Sequence, residues 1–248
     1  MAMFKYIILG IVQGLTEFFP VSSSGHLVIL QRLFGMNSEQ LALSLVLHLG
    51  TTLALIIFFF KDIMRALGDK KTLFLIIIVT IITGVIAISG KGFFENLFSS
   101  PRIVIVGWLF TGLLLIFTKR FKEGQNNIPG TKDALALGFA QGIAVIPGIS
   151  RSGITISTLL FRGVDKNTSF RFSFLASIPA ILGAALLEAK DIVACGLEFD
   201  KLLVGFIFSF LAGILALWLL KIILNKAKLY YFGYYCIIIA ITALIFIR

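Results

Sequence analysis

The chain contains one apolar segment twice, and both copies are interrupted by a run of Gly, Ser and Pro residues. The copies occupy 10–25 and 138–153 and align at a constant offset of 128 residues. Interrupted apolar segments at matching places in two halves of a membrane protein point to a binding site at the bilayer midplane. Six positions carry the same residue in both copies: Gly10/Gly138, Gln13/Gln141, Gly14/Gly142, Ser22/Ser150, Ser24/Ser152 and Gly25/Gly153.

The composition indicates that this chain folds in a membrane. Hydrophobic residues make up 58% and charged residues 14%, and the mean hydropathy is +1.03, which leaves too little polar surface for a water-soluble globule. The alternation expected of a membrane barrel is absent, so the spans are predicted to be helices. The net charge of +10 lies in short loops, which indicates membrane orientation and no nucleic-acid partner.

Apolar run lengths predict how the chain crosses the bilayer. A helical span needs about 20 apolar residues. The shorter runs 4–19 and 134–146 each end in the Gly/Ser/Pro turn and continue into a second short run, at 26–34 and 154–161. Each pair is predicted to form a re-entrant hairpin, although one long kinked helix that crosses is the alternative. Six runs are long enough to span: 41–60, 72–89, 102–118, 170–187, 202–224 and 230–247.

The predicted fold class is an all-α polytopic membrane protein with six transmembrane helices and two re-entrant hairpins. Three spans between the hairpins invert the second copy, so one integral membrane domain is expected, with inverted repeats at 1–120 and 130–248. Loops on one side carry fourteen Lys and Arg residues and those on the other carry seven. The excess predicts that the first side is cytoplasmic and that both termini lie outside. The hairpins then enter from opposite faces, and their tips meet near the middle.

Three polar groups, Glu17, His26 and Arg151, lie at the predicted hairpin tips. A charged side chain at a membrane helix centre costs about 2.5–3.5 kcal/mol, so it is retained for function or as part of a pair. Helix N-termini rich in serine hydroxyls, together with the planar guanidinium of Arg151, predict a site for a phosphate-like anion. A buried Glu17–Arg151 ion pair that only holds the hairpins together is the alternative.

A nucleophile is predicted beside the anion site. Ser23 lies within one helical turn of His26, which predicts a hydroxyl–imidazole pair and a serine activated by a base. Glu17 is expected to orient the imidazole or to hold a divalent cation over the phosphate. The second histidine, His48, lies within a full span and is predicted to be an interior residue without a direct role.

Both interrupted segments resemble the signatures of a known family. Residues 13–17 match a (Glu/Gln)-x-x-x-Glu motif, which continues as Phe-Phe-Pro-Val-Ser-Ser-Ser-Gly-His, and residues 147–155 match Pro-Gly-x-Ser-Arg-Ser-x-x-Thr. The chain therefore resembles the undecaprenyl-diphosphate phosphatases, the bacitracin-resistance protein family, over its whole length. Many members have Glu where this chain has Gln13, so a metal site with two carboxylates is in doubt here.

The resemblance implies a function and a set of site residues. It implies hydrolysis of undecaprenyl diphosphate in the inner membrane of a bacterium, which recycles the carrier lipid for peptidoglycan and confers bacitracin resistance. It also implies a polyprenyl diphosphate substrate, a divalent cation (Mg²⁺ or Ca²⁺) and an active site that faces outside. Self-association into a homodimer is left open. The catalytic residues implied are Glu17, Ser23, His26 and Arg151, with Gln13, Ser22, Ser24, Ser150, Ser152 and Thr155 lining the pocket.

Two other readings compete with a serine phosphatase. Inverted repeats with broken helices are typical of secondary transporters, so carriage of a lipid phosphate or a small anion is the main alternative. Attack by an activated water in place of Ser23 is the mechanistic alternative. Membrane lipid phosphatases with a histidine nucleophile after a Ser-Arg motif are excluded, because neither His26 nor His48 follows Ser150-Arg151.

Overall fold

The chain is all-helical, as the sequence predicts. The computed structural model describes residues 2–36, 40–98, 100–120, 124–194, 198–225 and 228–246. Within those ranges twelve α-helices and no β-strand form. The helices are α1 (Ala2–Phe18), α2 (Ser23–Leu33), α3 (Gln40–Phe58), α4 (Phe60–Gly68), α5 (Lys70–Ser89), α6 (Lys91–Phe98), α7 (Pro101–Phe117), α8 (Thr131–Ile143), α9 (Arg151–Phe161), α10 (Lys166–Ala194), α11 (Phe199–Asn225) and α12 (Tyr230–Phe246).

Several of these helices are long and apolar enough to cross a membrane. By length and composition, the described residues contain four such helices, α5, α7, α10 and α11, and the bent pair α3–α4 makes a fifth candidate. The helix α12 is apolar but shorter. All six predicted runs are therefore helical, with 41–60 divided between α3 and α4, and the chain is a multi-pass helical membrane protein.

The outer surface of these helices is apolar, as lipid contact requires. On α5 the exposed side chains Ile77, Ile81, Val85 and Ile88 follow helical spacing, whereas Val79 on the opposite face is fully buried. In water such a continuous apolar face would be a liability, but in hydrocarbon it costs nothing. This face indicates that α5 is surrounded partly by lipid.

Amphipathic helices occupy part of the segments that the sequence predicts to be loops, so the loops in the structure are shorter than expected. The run 41–60 is broken at Phe59, where α3 bends by 70° into α4. Charged residues from position 61 onward cannot continue into hydrocarbon. Phe60, Met64 and Leu67 form an exposed apolar stripe on α4, which is typical of a helix at a membrane surface. Similarly, α6 fills most of the loop predicted at 91–101, and α10 begins at Lys166.

Part of the predicted orientation falls outside the described residues. The described residues do not include Met1 or residues 247–248. They also leave out three of the Lys and Arg residues counted in the loops, Lys122, Lys226 and Arg248. The sides on which the two termini lie therefore stay predictions.

Each interrupted segment forms two helices joined by a turn, and each first helix packs against the opposite half of the chain. The helix α1 lies along α11, and α8 lies along α5. Helix α1 makes an intimate contact, because a Cβ atom at Gly14 would lie 2.6 Å from the Ser209 carbonyl oxygen and 2.5 Å from the Ala212 Cβ. A Cβ atom at Gly142 would lie 2.5 Å from the Ile86 side chain. The glycines therefore allow close helix contact.

The repeat extends further in the structure than the sequence identity indicates. At the open end of the first pair, Lys5 Nζ donates to the Phe34 carbonyl at 2.6 Å. At the open end of the second pair, Asp133 accepts from Arg162 Nε. Lys5 and Asp133 occupy equivalent positions, as do Phe34 and Arg162, because both pairs are 128 residues apart. Different chemistry therefore ties the two arms of each pair at the same place.

Candidate active site

The two turns end in the same N-terminal cap. Ser22 caps α2 and accepts from the Gly25 amide at 3.4 Å, and Ser150 caps α9 and accepts from the Gly153 amide at 3.1 Å. Ser22 has φ of +67°, in the left-handed region, which lets the chain reverse sharply before α2. Serine is favoured here because its hydroxyl satisfies an unpaired amide at the helix start. The prediction that serines cap both second helices is confirmed.

A second pair of serines repeats beside each cap. The Ser24 hydroxyl lies 3.2 Å from that of Ser22, and the Ser152 hydroxyl lies 3.3 Å from that of Ser150. Ser152 also donates to the Phe19 carbonyl at 3.3 Å, so the second turn contacts the backbone of the first. The four hydroxyls thus lie at two helix N-termini that are in contact with each other.

Glu17 is the centre of the polar contacts between the turns. Its side chain is only 3% exposed. One carboxylate oxygen, Oε2, accepts from Ser23 Oγ at 2.6 Å and from Gln13 Nε2 at 3.1 Å, and it lies 3.3 Å from His48 Nε2. The other oxygen, Oε1, forms an ion pair with Arg151. The contact with Gln13 bears out the shared helical face that the four-residue spacing predicts.

The ion pair joins the two interrupted segments. Arg151 is the first residue of α9 and Glu17 is in the last turn of α1, so the two tips meet as the sequence predicts. The Arg151 side chain remains 25% exposed, whereas Glu17 is buried. A guanidinium has five N–H donors, so one carboxylate leaves others for a ligand. This geometry is therefore compatible with both alternatives: an ion pair that only holds the two segments together, and a site for a phosphate-like anion.

His26 does not form the predicted pair with Ser23. Its Nδ1 lies 2.7 Å from the Ser22 carbonyl and its Nε2 lies 2.8 Å from the Tyr235 hydroxyl. Because a carbonyl only accepts, Nδ1 carries the hydrogen and Nε2 accepts from Tyr235. The ring also packs edge-on against Trp108, with 5.1 Å between the ring centroids. Ser23 instead donates to Glu17, so the expected Ser23–His26 pair is corrected to a Ser23–Glu17 pair.

The helix α7 holds both turns in place. Trp108 Nε1 donates to the Val21 carbonyl at 3.0 Å in the first turn. Thr111 donates to the Gly148 carbonyl at 3.1 Å and accepts from the Ser150 amide at 3.0 Å in the second. These side chains satisfy backbone groups that would otherwise be unpaired in an apolar interior.

Thr155 lies behind the second turn. Its hydroxyl donates to the Arg151 carbonyl at 2.6 Å and lies 2.6 Å from the Ser173 hydroxyl of α10, and it is buried. Through these contacts Thr155 supports the backbone of Arg151. Gln141, the counterpart of Gln13, donates to Thr83 of α5 at 3.2 Å.

The oxygen donors around Glu17 suit a hard divalent cation. The described part of the chain contains no group of three or more His, Cys, Asp or Glu side chains, so an all-protein metal cage is not formed there. Mg²⁺ is commonly held by one or two carboxylates together with substrate phosphates. Gln13 Oε1 is fully buried next to Glu17 and has no hydrogen-bond partner among the described residues. A buried amide oxygen in that state can act as a cation ligand, so Glu17 and Gln13 fit a divalent cation.

Sequence reasoning missed three residues that complete this site: His48, Trp108 and Tyr235. Each lies in a predicted span, outside both repeated segments. His48 was expected to have no direct role, whereas the structure sets it against Glu17. The available signal was a polar or amphipathic side chain inside an apolar run, but that signal does not say which way the side chain points.

Comparison with known proteins identifies the family. A family model described as "Bacitracin resistance protein BacA" matches residues 6–242, nearly the whole chain. The chain belongs to the bacitracin resistance protein BacA family. Two relatives named undecaprenyl-diphosphatase support the assignment: the undecaprenyl-diphosphatase of Halothermothrix orenii is 44% identical over 99% of this chain and 98% of its own length. That of Carboxydothermus hydrogenoformans is 43% identical over 98% of this chain and 96% of its own length.

Proposed function

We propose that this chain hydrolyses undecaprenyl diphosphate to undecaprenyl phosphate and inorganic phosphate. Membership of the BacA family and relatives named undecaprenyl-diphosphatase support the activity. The observation that carries the chemistry is the buried meeting of the Glu17 carboxylate, the Ser23 hydroxyl and the Arg151 guanidinium between two helix N-termini. The product is the carrier lipid of cell-wall synthesis, and the family name implies bacitracin resistance.

Ser23 is the proposed nucleophile and Glu17 its base. The Ser23 hydroxyl donates to Glu17 Oε2 at 2.6 Å, so the proton has an acceptor as the oxygen attacks. Attack on the terminal phosphorus breaks the phosphoanhydride bond, and undecaprenyl phosphate leaves with the bridging oxygen. Water then hydrolyses the phosphoserine and releases inorganic phosphate. Direct attack by a water that Glu17 activates is the alternative route to the same products.

His26 has a supporting role in this proposal. Its ring nitrogens contact the Ser22 carbonyl and the Tyr235 hydroxyl, which favours a residue that fixes the turn carrying Ser23. The role of base passes from His26, where the chain spacing puts it, to Glu17.

Arg151 and the two helix N-termini bind the diphosphate. The guanidinium can donate to two phosphate oxygens while another edge keeps Glu17 in place. The amides at the starts of α2 and α9 add the positive ends of two helix dipoles. The pocket side chains are those expected from the sequence: Gln13, Ser22, Ser24, Ser150, Ser152 and, behind Arg151, Thr155. Because these donors are fixed before substrate binds, they stabilise charge on the transferring phosphoryl group without reorganisation.

A divalent cation, Mg²⁺ or Ca²⁺, is part of the proposal. Glu17 and the unpartnered Gln13 Oε1 would hold it together with phosphate oxygens. When bound, it would neutralise part of the diphosphate charge.

The proposed membrane arrangement is six spans, α3, α5, α7, α10, α11 and α12, with the α1–α2 and α8–α9 pairs as re-entrant hairpins. The matched caps and open-end contacts support one domain built from inverted repeats at 1–120 and 130–248. The excess of cations in one set of loops supports termini that lie outside a bacterial inner membrane, and the family resemblance implies an active site that opens to the outside. The undecaprenyl tail then lies in the bilayer against the apolar helix faces.

Phosphate release from undecaprenyl diphosphate by the protein in detergent tests this function. The parent protein should release phosphate with Mg²⁺ or Ca²⁺, and Ser23→Ala should lower kcat by at least about 100-fold. Ser89→Ala is the matched control, because that exposed hydroxyl bonds only to backbone of its own helix. A fully active Ser23→Ala variant would leave only the water route.

Broken helices in both halves also suit a transporter, and the same assay separates the two functions. A protein in detergent separates no compartments, so a pure carrier of lipid phosphate or anions releases no phosphate there. Absence of phosphate release by the folded parent protein would contradict the phosphatase.

A further inference from the structure

His48 contacts the catalytic carboxylate from outside both motifs. It lies in the middle of α3, and its Nε2 is 3.3 Å from Glu17 Oε2. Its Nδ1 lies 2.8 Å from the Ser44 carbonyl one turn earlier in the same helix. Since that carbonyl only accepts, Nδ1 carries a hydrogen, and the Nε2 end of the ring faces the Glu17 carboxylate.

The helix that carries His48 is well fixed at this point. Thr51 and Thr52 both donate to the His48 carbonyl, at 2.9 and 2.7 Å. Two residues after His48, α3 approaches α11 so closely that a Cβ atom at Gly50 would lie 2.6 Å from the Phe206 carbonyl. The imidazole therefore projects toward Glu17 from a rigid element.

The other contacts on Glu17 explain what His48 adds. Gln13 and Ser23, which bond to the same oxygen, belong to α1 and α2, the hairpin that also carries Glu17. His48 ties this oxygen to a neighbouring helix, while Arg151 holds the other oxygen. A carboxylate fixed from both sides keeps the plane in which Oε2 accepts the Ser23 hydrogen.

We propose that His48 is a positioning residue for phosphate release, because the contact of its Nε2 with the Glu17 carboxylate keeps that carboxylate in the orientation that accepts the Ser23 proton. The inference rests on the proposed function. It assigns to a third helix a part of the reaction that both sequence motifs leave out.

Two substitutions separate the two ends of the imidazole. In His48→Gln the amide nitrogen takes the place of Nε2 and can still contact Glu17. In His48→Asn the amide nitrogen takes the place of Nδ1 and can still donate to the Ser44 carbonyl, but it does not reach Glu17. If His48 only satisfied its own helix, Asn would replace it better than Gln.

We expect His48→Gln to keep kcat within about threefold of the parent and His48→Asn to lower it at least about tenfold, with KM changed less in both. Thr80→Val is the matched control, because it removes a half-buried hydroxyl that donates to the Ile76 carbonyl of its own helix, α5, and should leave kcat unchanged. Unfolding temperature in detergent confirms that each variant folds. Should the Asn variant not fold, His48→Leu, which lacks both ring nitrogens, replaces it.

An Asn or Leu variant with the parent kcat, or a folded Gln variant as slow as Asn, would overturn the proposal. A parent protein that releases no phosphate would instead overturn the proposed function, and the inference with it. That result is seen before any variant is compared, so the two failures are distinct.

Discussion

The two interrupted segments share a backbone and divide the chemistry. Both turns have a serine cap, a neighbouring serine pair and a contact across the open end. At the equivalent reactive positions, however, Glu17 corresponds to Val145 and Ser23 to Arg151. The first segment therefore supplies the carboxylate and the hydroxyl, and the second supplies the cation. The two segments share the frame, and neither contains the whole site.

A difference in helix length explains why only the first segment places a carboxylate in the last turn of its first helix. The helix α1 runs to Phe18, whereas α8 ends at Ile143, three residues earlier in the repeat. Glu17 lies in the last turn of α1, which has no helical counterpart in the second copy. The shorter α8 leaves room for the 144–150 turn, whose Gly148 has φ of +90° and packs against Val104 of α7.

Removal of the Arg151 guanidinium should have the largest effect on activity. We expect Arg151→Ala to lower kcat/KM about 10³-fold, because the phosphoryl charge loses its main donor. Arg151→Lys should recover only part of the loss, since an ammonium keeps the charge and lacks the planar fork. Phosphate release measures the activity of both variants. Unfolding temperature shows whether a variant still folds when the buried Glu17 carboxylate lacks its Arg151 partner. Near-normal activity in Arg151→Ala would contradict the division of roles between the segments.

The paired glutamines test the same division at identical residues. Gln13 bonds to Glu17, so Gln13→Ala should lower kcat about tenfold and raise the Mg²⁺ concentration needed for activity. Gln141 bonds to Thr83, so Gln141→Ala should leave kcat within about twofold and cost about 1 kcal/mol of stability. Equal losses of kcat in both variants would show that the second glutamine also belongs to the site.

The paired glycines compare the packing of α1 and α8. Gly14 faces the backbone of α11, so Gly14→Ala should destabilise the protein by about 1–3 kcal/mol. Gly142 faces the Ile86 side chain, which can move, so Gly142→Ala should cost less, and a smaller side chain in Gly142→Ala/Ile86→Val should restore stability. Unfolding in detergent measures the difference. A Gly142→Ala variant as unstable as Gly14→Ala would mean that α5 is as unyielding as α11.

The contacts across the open ends should matter least. Lys5→Met removes one donor to the Phe34 carbonyl, and we expect a cost of about 0.5–1.5 kcal/mol. Asp133→Asn should cost slightly more, since Asp133 also accepts from the Gly130 amide and loses its charge beside Arg162. Activity should change little in either variant. A large loss of kcat would indicate that the arms of a pair must stay together for turnover.

The sequence predicts most of the secondary structure because its signals are local. Run length and the Gly/Ser/Pro interruptions predict the apolar helices and both turns. They miss the bend at Phe59, because an aromatic residue gives no sign of a break and only the charges that follow end the span. They also miss α4 and α6, whose apolar stripes are too short to stand out from a loop.

The site is predicted in part, and the missing part is tertiary. Glu17, Ser23 and Arg151 come from the repeated segments, and the structure brings them together. The Ser23–His26 pair is wrong because closeness along the chain does not fix side-chain direction, and a distant residue, Tyr235, holds the ring. The contact of His48 with Glu17 depends on how α3 packs, which a single chain of letters does not express.

One further consequence follows from the position of Trp108 and Thr111 on α7. They lie about one helical turn apart, and each closes a different elbow of the backbone. A tilt or fraying of α7 would disturb both turns, and with them Ser23 and Arg151, at the same time, so catalytic competence should be gained or lost as a whole. The enzyme would then hold no half-assembled state in which the reactive hydroxyl is bared to stray water or foreign lipids.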